Sequence, residues 1–358
     1  MAKSGFVAVL LCLLPLAARS QSSHVELTLS PEYMLTAYDF QSPDNIVCGS
    51  IEATWWFRVP DADWKYAYPQ PLFGVMADWS VSPHSICGYR FGLAGKMRTP
   101  LTSWLDWDVG LGAAGFTKPA NLTGDTNNVY ITTPLTFLIG TSLSVRCSER
   151  MRLLFGLLHT SNGALRLPNR GLNYFQLGLT YALTRPTSVS SVPRTEPVEN
   201  FLPYHALGFT LSPGLVAARH SSQQGLFLCY DLSLNYEYHH SPRVAYGATV
   251  DFWYNFSHRE QVIWYHDNYT VPIYVSMLAF VEGFWGPLSI KAGMGPVLAA
   301  SSRVGIPFYE RVALYYNFGH NYVGIGINAH AGQAEFVEWS YGHRFRLPSR
   351  PSTLSSRP

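Results

Sequence analysis

Apolar and polar residues alternate along most of this chain with a period of two, in segments of about ten residues. Ile51, Ala53, Trp55 and Phe57 alternate with Glu52, Thr54, Trp56 and Arg58. Leu105, Trp107, Val109 and Leu111 alternate with Asp106, Asp108, Gly110 and Gly112. Leu226, Leu228, Tyr230, Leu232, Leu234 and Tyr236 alternate with Phe227, Cys229, Asp231, Ser233, Asn235 and Glu237. The same holds from Val244 to Tyr254 and, near the C-terminus, for Val337, Trp339, Tyr341 and Phe345 against Glu338, Ser340, Gly342 and Arg344. Successive side chains of a strand point to opposite faces, so each segment is a strand with one apolar face. The pattern predicts strands starting near residues 24, 48, 70, 86, 103, 133, 149 and 171, and again near 203, 224, 242, 271, 285, 306, 321 and 333.

The second face decides the class. A soluble sandwich turns its polar face to water and dresses it with Lys and Glu, whereas here that face carries Gly, Ser, Asp and Asn. Small polar residues suit a crowded lumen, the apolar face suits lipid, and Tyr and Trp at strand ends suit interfacial girdles. The expected fold is therefore all-β: a transmembrane antiparallel β-barrel of about 16 strands (12–16), or two eight-stranded units. One barrel of sixteen leaves an aqueous channel unless plugged, whereas barrels of eight fill with side chains.

Composition sharpens this. Only 13% of the 358 residues are charged, about half the usual share for soluble domains. The lysines are Lys3, Lys65, Lys96, Lys118 and Lys291 and the net charge is +2. No basic stripe is present to neutralise phosphates, which argues against a nucleic-acid partner. Lys3, the apolar run Phe6 to Leu14 and the small-x-small site Ala18-Arg19-Ser20 read as a signal peptide over residues 1–20, with the mature chain starting at Gln21. Cys12 lies in its apolar run without the small residue before it that a lipid-anchor signal needs. No later stretch has the roughly 20 apolar residues of a spanning helix. Residues 184–203 are rich in Pro, Ser and Thr and aperiodic, a linker between barrel segments at 21–183 and 204–346, with a polar tail over 347–358.

The mature cysteines Cys48, Cys87, Cys147 and Cys229 form no metal-ligand spacing, and neither a metal nor another cofactor is expected. A Cys48–Cys87 bridge is one reading, and Cys229 falls on an inward, packed position. Inward Asp106, Asp108, Asp231, Asp251 and Glu338, with Arg58, Lys291 and Arg344, read as paired lumen networks or as a pore lining. Two local likenesses hint at duplication: Gly110-x-Gly112 with Gly293-x-Gly295, and Thr133-Pro134 with Ile306-Pro307.

Candidate chemistry concentrates at Leu157-Leu158-His159-Thr160-Ser161-Asn162-Gly163, followed by Pro168-Asn169-Arg170-Gly171-Leu172-Asn173-Tyr174. Met151, Leu153, Phe155 and Leu157 form an outward apolar stripe, and His159 and Ser161 continue its parity. On the returning strand Asn173 shares the parity of Phe175, Leu177, Leu179 and Tyr181. Three polar side chains thus fall together on the outer wall, at one end of one hairpin. Ser161 is a candidate nucleophile, His159 its base, Asn173 an acceptor that orients the imidazole, and Asn162 an oxyanion donor, with Pro168 and the glycines shaping the turn. The competing reading is a hydrogen-bonded polar loop at the rim of a channel or structural barrel. His330, with Gly332 where a Ser would be needed and with inward parity, reads as structural.

The order His159-x-Ser161-Asn162-Gly163-x4-Pro168-Asn169-x-Gly171 resembles the outer-membrane lipid A 3-O-deacylases, the PagL-type acyloxyacyl hydrolases. The run Asn328 to Trp339 is similar to longer members of that group. The core resemblance covers about residues 25 to 185, the extent of an eight-stranded barrel in the short enzymes, and residues 204 to 345 are extra barrel. The resemblance implies a Gram-negative outer-membrane location, lipid A or lipopolysaccharide as partner, and hydrolysis of its 3-O-linked acyl ester by a Ser-His-Glu triad. It assigns Ser161 as nucleophile, His159 as base, Asn162 and Gly163 to the oxyanion, and Pro168, Asn169 and Gly171 to shaping. The acid of the triad falls on Asn173, a departure that removes a negative charge.

Overall fold

The computed structural model describes residues 23–35, 47–58, 71–81, 88–124, 128–167, 169–184, 201–217, 225–257, 273–300, 308–330 and 333–348. The first eight strands are β1 (Ser23–Leu35), β2 (Val47–Phe57), β3 (Leu72–Val81), β4 (Tyr89–Pro100), β5 (Leu105–Phe116), β6 (Leu135–Arg146), β7 (Met151–Ser161) and β8 (Leu172–Ala182). The second eight are β9 (Tyr204–Ala217), β10 (Leu226–His239), β11 (Val244–Asn255), β12 (Ile273–Trp285), β13 (Leu288–Ala300), β14 (Phe308–Phe318), β15 (Asn321–His330) and β16 (Gln333–Arg346). The alternating pattern located every one of them to within a few residues.

The strands do not close into one wide barrel. β1 pairs antiparallel with β8, and β16 pairs antiparallel with β9, so the chain forms two closed barrels of eight. These fall in two compact units, residues 1–195 and 196–358. The signal segment, residues 185–200 of the linker and residues 349–358 lie outside the described residues. Cys48 is buried in β2, while Cys87, its suggested partner, also lies outside them.

Each wall follows the alternation. In β10, Leu226, Leu228, Tyr230, Leu232, Leu234 and Tyr236 are exposed on the outside, whereas Cys229, Asp231, Ser233, Asn235 and Glu237 are buried within. In the first barrel the outer wall exposes Leu29, Ile51, Leu153, Phe155, Leu177 and Leu179. Apolar surface of this extent is far beyond what a soluble monomer tolerates and fits a barrel whose outer face meets lipid.

Inside, charge is paired around buried guanidinium groups. In the first barrel Arg98 bridges Glu26 (2.9 Å) and Asp108 (2.8 Å) and lies 4.2 Å over the Trp56 ring. Arg152 joins Glu26 to Asp106, and Arg90 joins Glu32 (2.9 Å) to Asp78 (2.6 Å). In the second barrel Arg311 meets Asp231 (2.9 Å), Asp251 (3.4 Å) and Glu338 (2.5 Å). Lys291 and Arg344 both meet Glu237 and Glu282. Arg58 is a correction: it sits just past the end of β2 and has no ion-pair partner among the described residues. Fully buried Trp253, Tyr274, Tyr309, Tyr315, Tyr322 and Phe336 fill the rest of the second lumen.

Of the two local likenesses, the glycine pairs fall at equivalent places, while Ile306-Pro307 lies outside the described residues. Gly110 and Gly112 lie in the fifth strand of the first barrel, Gly293 and Gly295 in the fifth strand of the second. A Cβ at Gly112 would strike the Leu93 carbonyl of β4, and one at Gly295 the Met277 carbonyl of β12. The same close approach of fourth and fifth strands recurs in both barrels.

Arg311 faces three buried carboxylates, Asp231, Asp251 and Glu338. Arg311→Met should destabilise the second barrel by about 3–5 kcal/mol, because breaking a buried pair strands charge in low dielectric. Urea unfolding in detergent measures this, and an unchanged midpoint would show that Arg311 does not hold the cluster.

Candidate active site

β7 and β8 form one hairpin, and their register sets Leu157 opposite Phe175 and His159 opposite Asn173. Directly paired residues on one face of a sheet bring their side chains within reach. His159 Nδ1 donates to Asn173 Oδ1 at 2.7 Å, and both side chains are half-buried. An amide oxygen only accepts, so the ring carries its proton on Nδ1 and leaves Nε2 as the basic nitrogen. Leu158 and Thr160, the neighbours of opposite parity, are buried toward the lumen. On the other flank β6 sets Ile139 beside His159 and Phe137 beside Ser161.

Ser161 keeps the outward parity of His159 yet is only 2% exposed, which alternation alone did not indicate. The reason lies in the connection to β8. Asn162 to Leu165 is a tight turn closed by Leu165 N–H on the Asn162 carbonyl (3.2 Å), with Gly163 at φ 63° and Ala164 at φ 60°. Positive φ at both central residues is the type I′ habit. Ala164 is the single non-glycine residue with positive φ among the described residues. Such backbone strain persists only where surrounding structure enforces it.

The returning chain comes close to Ser161 at Gly171. Gly171 has φ 68°, and a Cβ there would lie 2.9 Å from His159 Cε1, 2.9 Å from the Thr160 carbonyl oxygen and 3.0 Å from Ser161 Cβ. Glycine is thus required twice, by conformation and by contact. A Cβ at Gly171 would meet both His159 and Ser161, so both side chains border the same space beside the returning chain.

The candidate oxyanion donors are not equivalent. Gly163 N–H points to Ser161 Oγ at 3.4 Å. Asn162 N–H is already bound to Asn169 Oδ1 (3.2 Å), and Asn162 Nδ2 donates to the Arg166 carbonyl (2.9 Å). Asn169 therefore holds the turn in shape, and Asn162 retains one amide hydrogen for a ligand. Pro168 lies outside the described residues.

A carboxylate substituting for Asn173 is not found on this hairpin: residues 150–195 contain neither Asp nor Glu. Glu32, on the adjoining strand, is buried with Arg90 in the lumen. His330 also faces inward, donating from Nδ1 to the Phe308 carbonyl (2.8 Å) and pairing through Nε2 with Glu335 (2.6 Å), beside the Tyr309 and Trp253 rings. Among the described residues no group of three His, Cys, Asp or Glu side chains could hold a metal ion.

Two family models match the chain. One, described as Lipid A 3-O-deacylase (PagL), matches residues 52–182. The other, described as Acyloxyacyl hydrolase, C-terminal domain, matches residues 204–347. Between them they take in β3 to β8 and the second half of β2 in the first barrel, and all of the second. No curated protein matches. Among solved structures, a double mutant of the Rh. blastica porin is similar at 9% identity and a triple mutant at 8%. Each covers 90% of this chain and 99% of its own, with a TM-score of 0.21, too slight a likeness to carry any argument.

The tight seat of Gly171 sets an expectation. Gly171→Ala should lower ester hydrolysis at least about tenfold, since a strained residue and a Cβ against Thr160, Ser161 and His159 displace the pair by a few tenths of an ångström or more. Heat-modifiable gel migration should show the barrel still folded. Unimpaired turnover would mean that the returning chain does not position the site.

Proposed function

The chain belongs to the two-part family of lipid A 3-O-deacylases, which are ester hydrolases, and from that premise we propose that Ser161 and His159 cleave the 3-O-linked acyl ester of lipid A on the outer wall of the first barrel. The observation that carries this reading is the His159–Asn173 hydrogen bond across paired strands, on the same face as Ser161 and under the same glycine. It leaves Nε2 free to take the Ser161 proton.

In this mechanism Ser161 Oγ attacks the ester carbonyl carbon as its proton passes to His159 Nε2. The carbonyl oxygen gains negative charge and is met by Gly163 N–H and the remaining Asn162 amide hydrogen. The bond to the sugar 3-oxygen then breaks, and His159 returns the proton to that oxygen. Water, deprotonated by His159, attacks the acyl-Ser161 ester and releases the fatty acid. Neither a metal nor another cofactor is needed in any step.

The surroundings support a membrane-dissolved substrate. Leu135, Leu157, Phe175 and Leu177 lie exposed around the site, a surface suited to an acyl chain. The site sits at the end of the barrel where connections 117–134 and 162–171 emerge, opposite the short turns 101–104 and 147–150. Outer-membrane barrels keep short turns in the periplasm and longer loops outside. This supports an orientation with Ser161 at the headgroup level of the outer leaflet, after removal of a signal peptide at residues 1–20.

Ser161→Ala and His159→Ala should each abolish release of one acyl chain, read by mass spectrometry of lipid A from cells carrying each variant, with folding verified on gels. Full deacylation by either variant would refute the assignment. Asn173 is tested by a series. Asn173→Ala should slow the reaction without ending it. Asn173→Glu should speed it, because a carboxylate stabilises the imidazolium that Asn cannot; loss of that charge costs on the order of 10⁴ in a serine protease. Superimposable pH–rate profiles for wild type and both variants would remove Asn173 from the mechanism.

A further inference from the structure

The β5–β6 connection reaches the site without contributing a reacting group. It leaves β5, makes a single helical turn at Ala120–Thr123 and closes on itself, with Ala120 N–H on the Ile131 carbonyl (2.9 Å) and Asn121 N–H on the Thr132 carbonyl (3.2 Å). Ile131 and Tyr130 are buried in an apolar cluster with Leu138, Leu158, Leu172 and Tyr174, which seals that end of the lumen beneath the site. The backbone of the same segment faces the β7–β8 connection. Arg170 N–H donates to the Val129 carbonyl (3.1 Å), and Gly171 N–H donates to the Tyr130 carbonyl (3.2 Å).

One side chain holds this segment in shape. Asn128 is 1% exposed; its Oδ1 accepts from the N–H groups of Tyr130 (3.3 Å) and Ile131 (3.1 Å), and its Nδ2 donates to the Lys118 carbonyl (3.1 Å). A side-chain oxygen accepting from backbone two and three residues ahead is the Asx arrangement that fixes a turn. A continuous line thus runs from Asn128 to residues 129–131, across two interloop hydrogen bonds to Arg170 and Gly171, and on to His159 and Ser161, which lie so close to Gly171 that a Cβ there would meet both.

We propose that Asn128 is a positioning residue for ester hydrolysis, setting the Ser161–His159 geometry through the carbonyls of Val129 and Tyr130 and the backbone of Gly171. This rests on the assignment of Ser161 and His159 as nucleophile and base. Asn128 touches no reacting atom, and its effect falls on the reaction step rather than on lipid binding, which the outer apolar wall governs. Small displacements of a nucleophile from its base are costly in rate, so the loss appears in kcat.

The test compares Asn128→Ala, Asn128→Ser and wild type in detergent, each normalised to folded protein by heat-modifiable migration. Two readouts are taken: kcat and KM on lipid A, and the rate at which a fluorophosphonate labels Ser161. Asn128→Ala should lower kcat and labelling about tenfold with KM within about twofold. Asn128→Ser keeps an acceptor for the same two N–H groups and should recover most of both rates. Asn128→Gln, whose amide lies one methylene too far, should behave like Asn128→Ala and replaces it if that variant yields too little folded protein. Labelling and kcat at wild-type levels in Asn128→Ala or Asn128→Gln overturn the proposal, as does a rise in KM with kcat unchanged or a failure of Asn128→Ser to recover. Failure of the underlying assignment looks different: the wild type itself would then not be labelled at Ser161.

Discussion

Closure of eight strands is the constraint from which the rest follows. A ring of that size encloses just enough room for side chains, so every inward group must find its partner inside. Arg98 and Arg152 around Glu26, and Arg311 among Asp231, Asp251 and Glu338, are the consequence. Such pairs add little net stability over an apolar filling, but they are costly to break, which fixes the register of the strands that carry them. With the lumen committed to packing, a reactive group that must meet a lipid has to stand on the outer wall or at its rim. In the proposed mechanism the hairpin of β7 and β8 does this, its outward parity running past Leu157 and Phe175 into His159 and Asn173.

Much of this was legible in the chain because period-two alternation is a local signal. It located all sixteen strands, the outward stripe of β7, and the shared face of His159, Ser161 and Asn173. It assigned Cys229 inward, as β10 has it, and His330 inward, where it meets the Phe308 carbonyl and Glu335. What alternation cannot carry is long-range pairing. Whether sixteen strands close once or twice depends on β1 meeting β8 and β9 meeting β16, contacts between residues far apart in sequence. The carboxylates, Lys291 and Arg344 pair in the lumen as their parity suggests, but the central guanidinium groups escape a local reading for the same reason. Arg98, Arg152 and Arg311 look no different from Arg58 along the chain, and only the closed ring decides which guanidinium reaches three strands and which, like Arg58, stops at a strand end.

The site showed the same division. The order of His159, Ser161, Asn162, Asn169, Gly171 and Asn173 is a sequence feature, and so is the demand for glycine in a tight return. The burial of Ser161, the positive φ of Ala164 and the bonds from residues 170 and 171 to residues 129 and 130 are not. They arise where two connections meet over one end of the barrel, and neither carries a mark of the other in its own sequence.

Asn173 can be understood from this setting. In the proposed mechanism its first task is geometric: accept from Nδ1 so that Nε2 stands as the base, and an amide oxygen does that as well as a carboxylate oxygen at 2.7 Å. Its second task, stabilising the imidazolium, is where it falls short. A carboxylate there would have its own cost, because the position is half-buried and opens toward an apolar wall, where desolvation disfavours the charged form. A buried carboxylate that becomes protonated can donate instead of accept, and would then compete for the wrong tautomer of His159. The amide exchanges electrostatic assistance for a hydrogen bond whose direction does not depend on pH. Nothing else on the acid-free stretch from 150 to 195 can supply the missing charge, so the burden of stabilising the reaction moves to the oxyanion side. There Gly163 N–H and Asn162 are held by a strained turn, by Asn169 and by the Arg166 carbonyl. A site built this way depends on the rigidity of its turn as well as on its base, which is why connections that never touch the substrate bear on its rate.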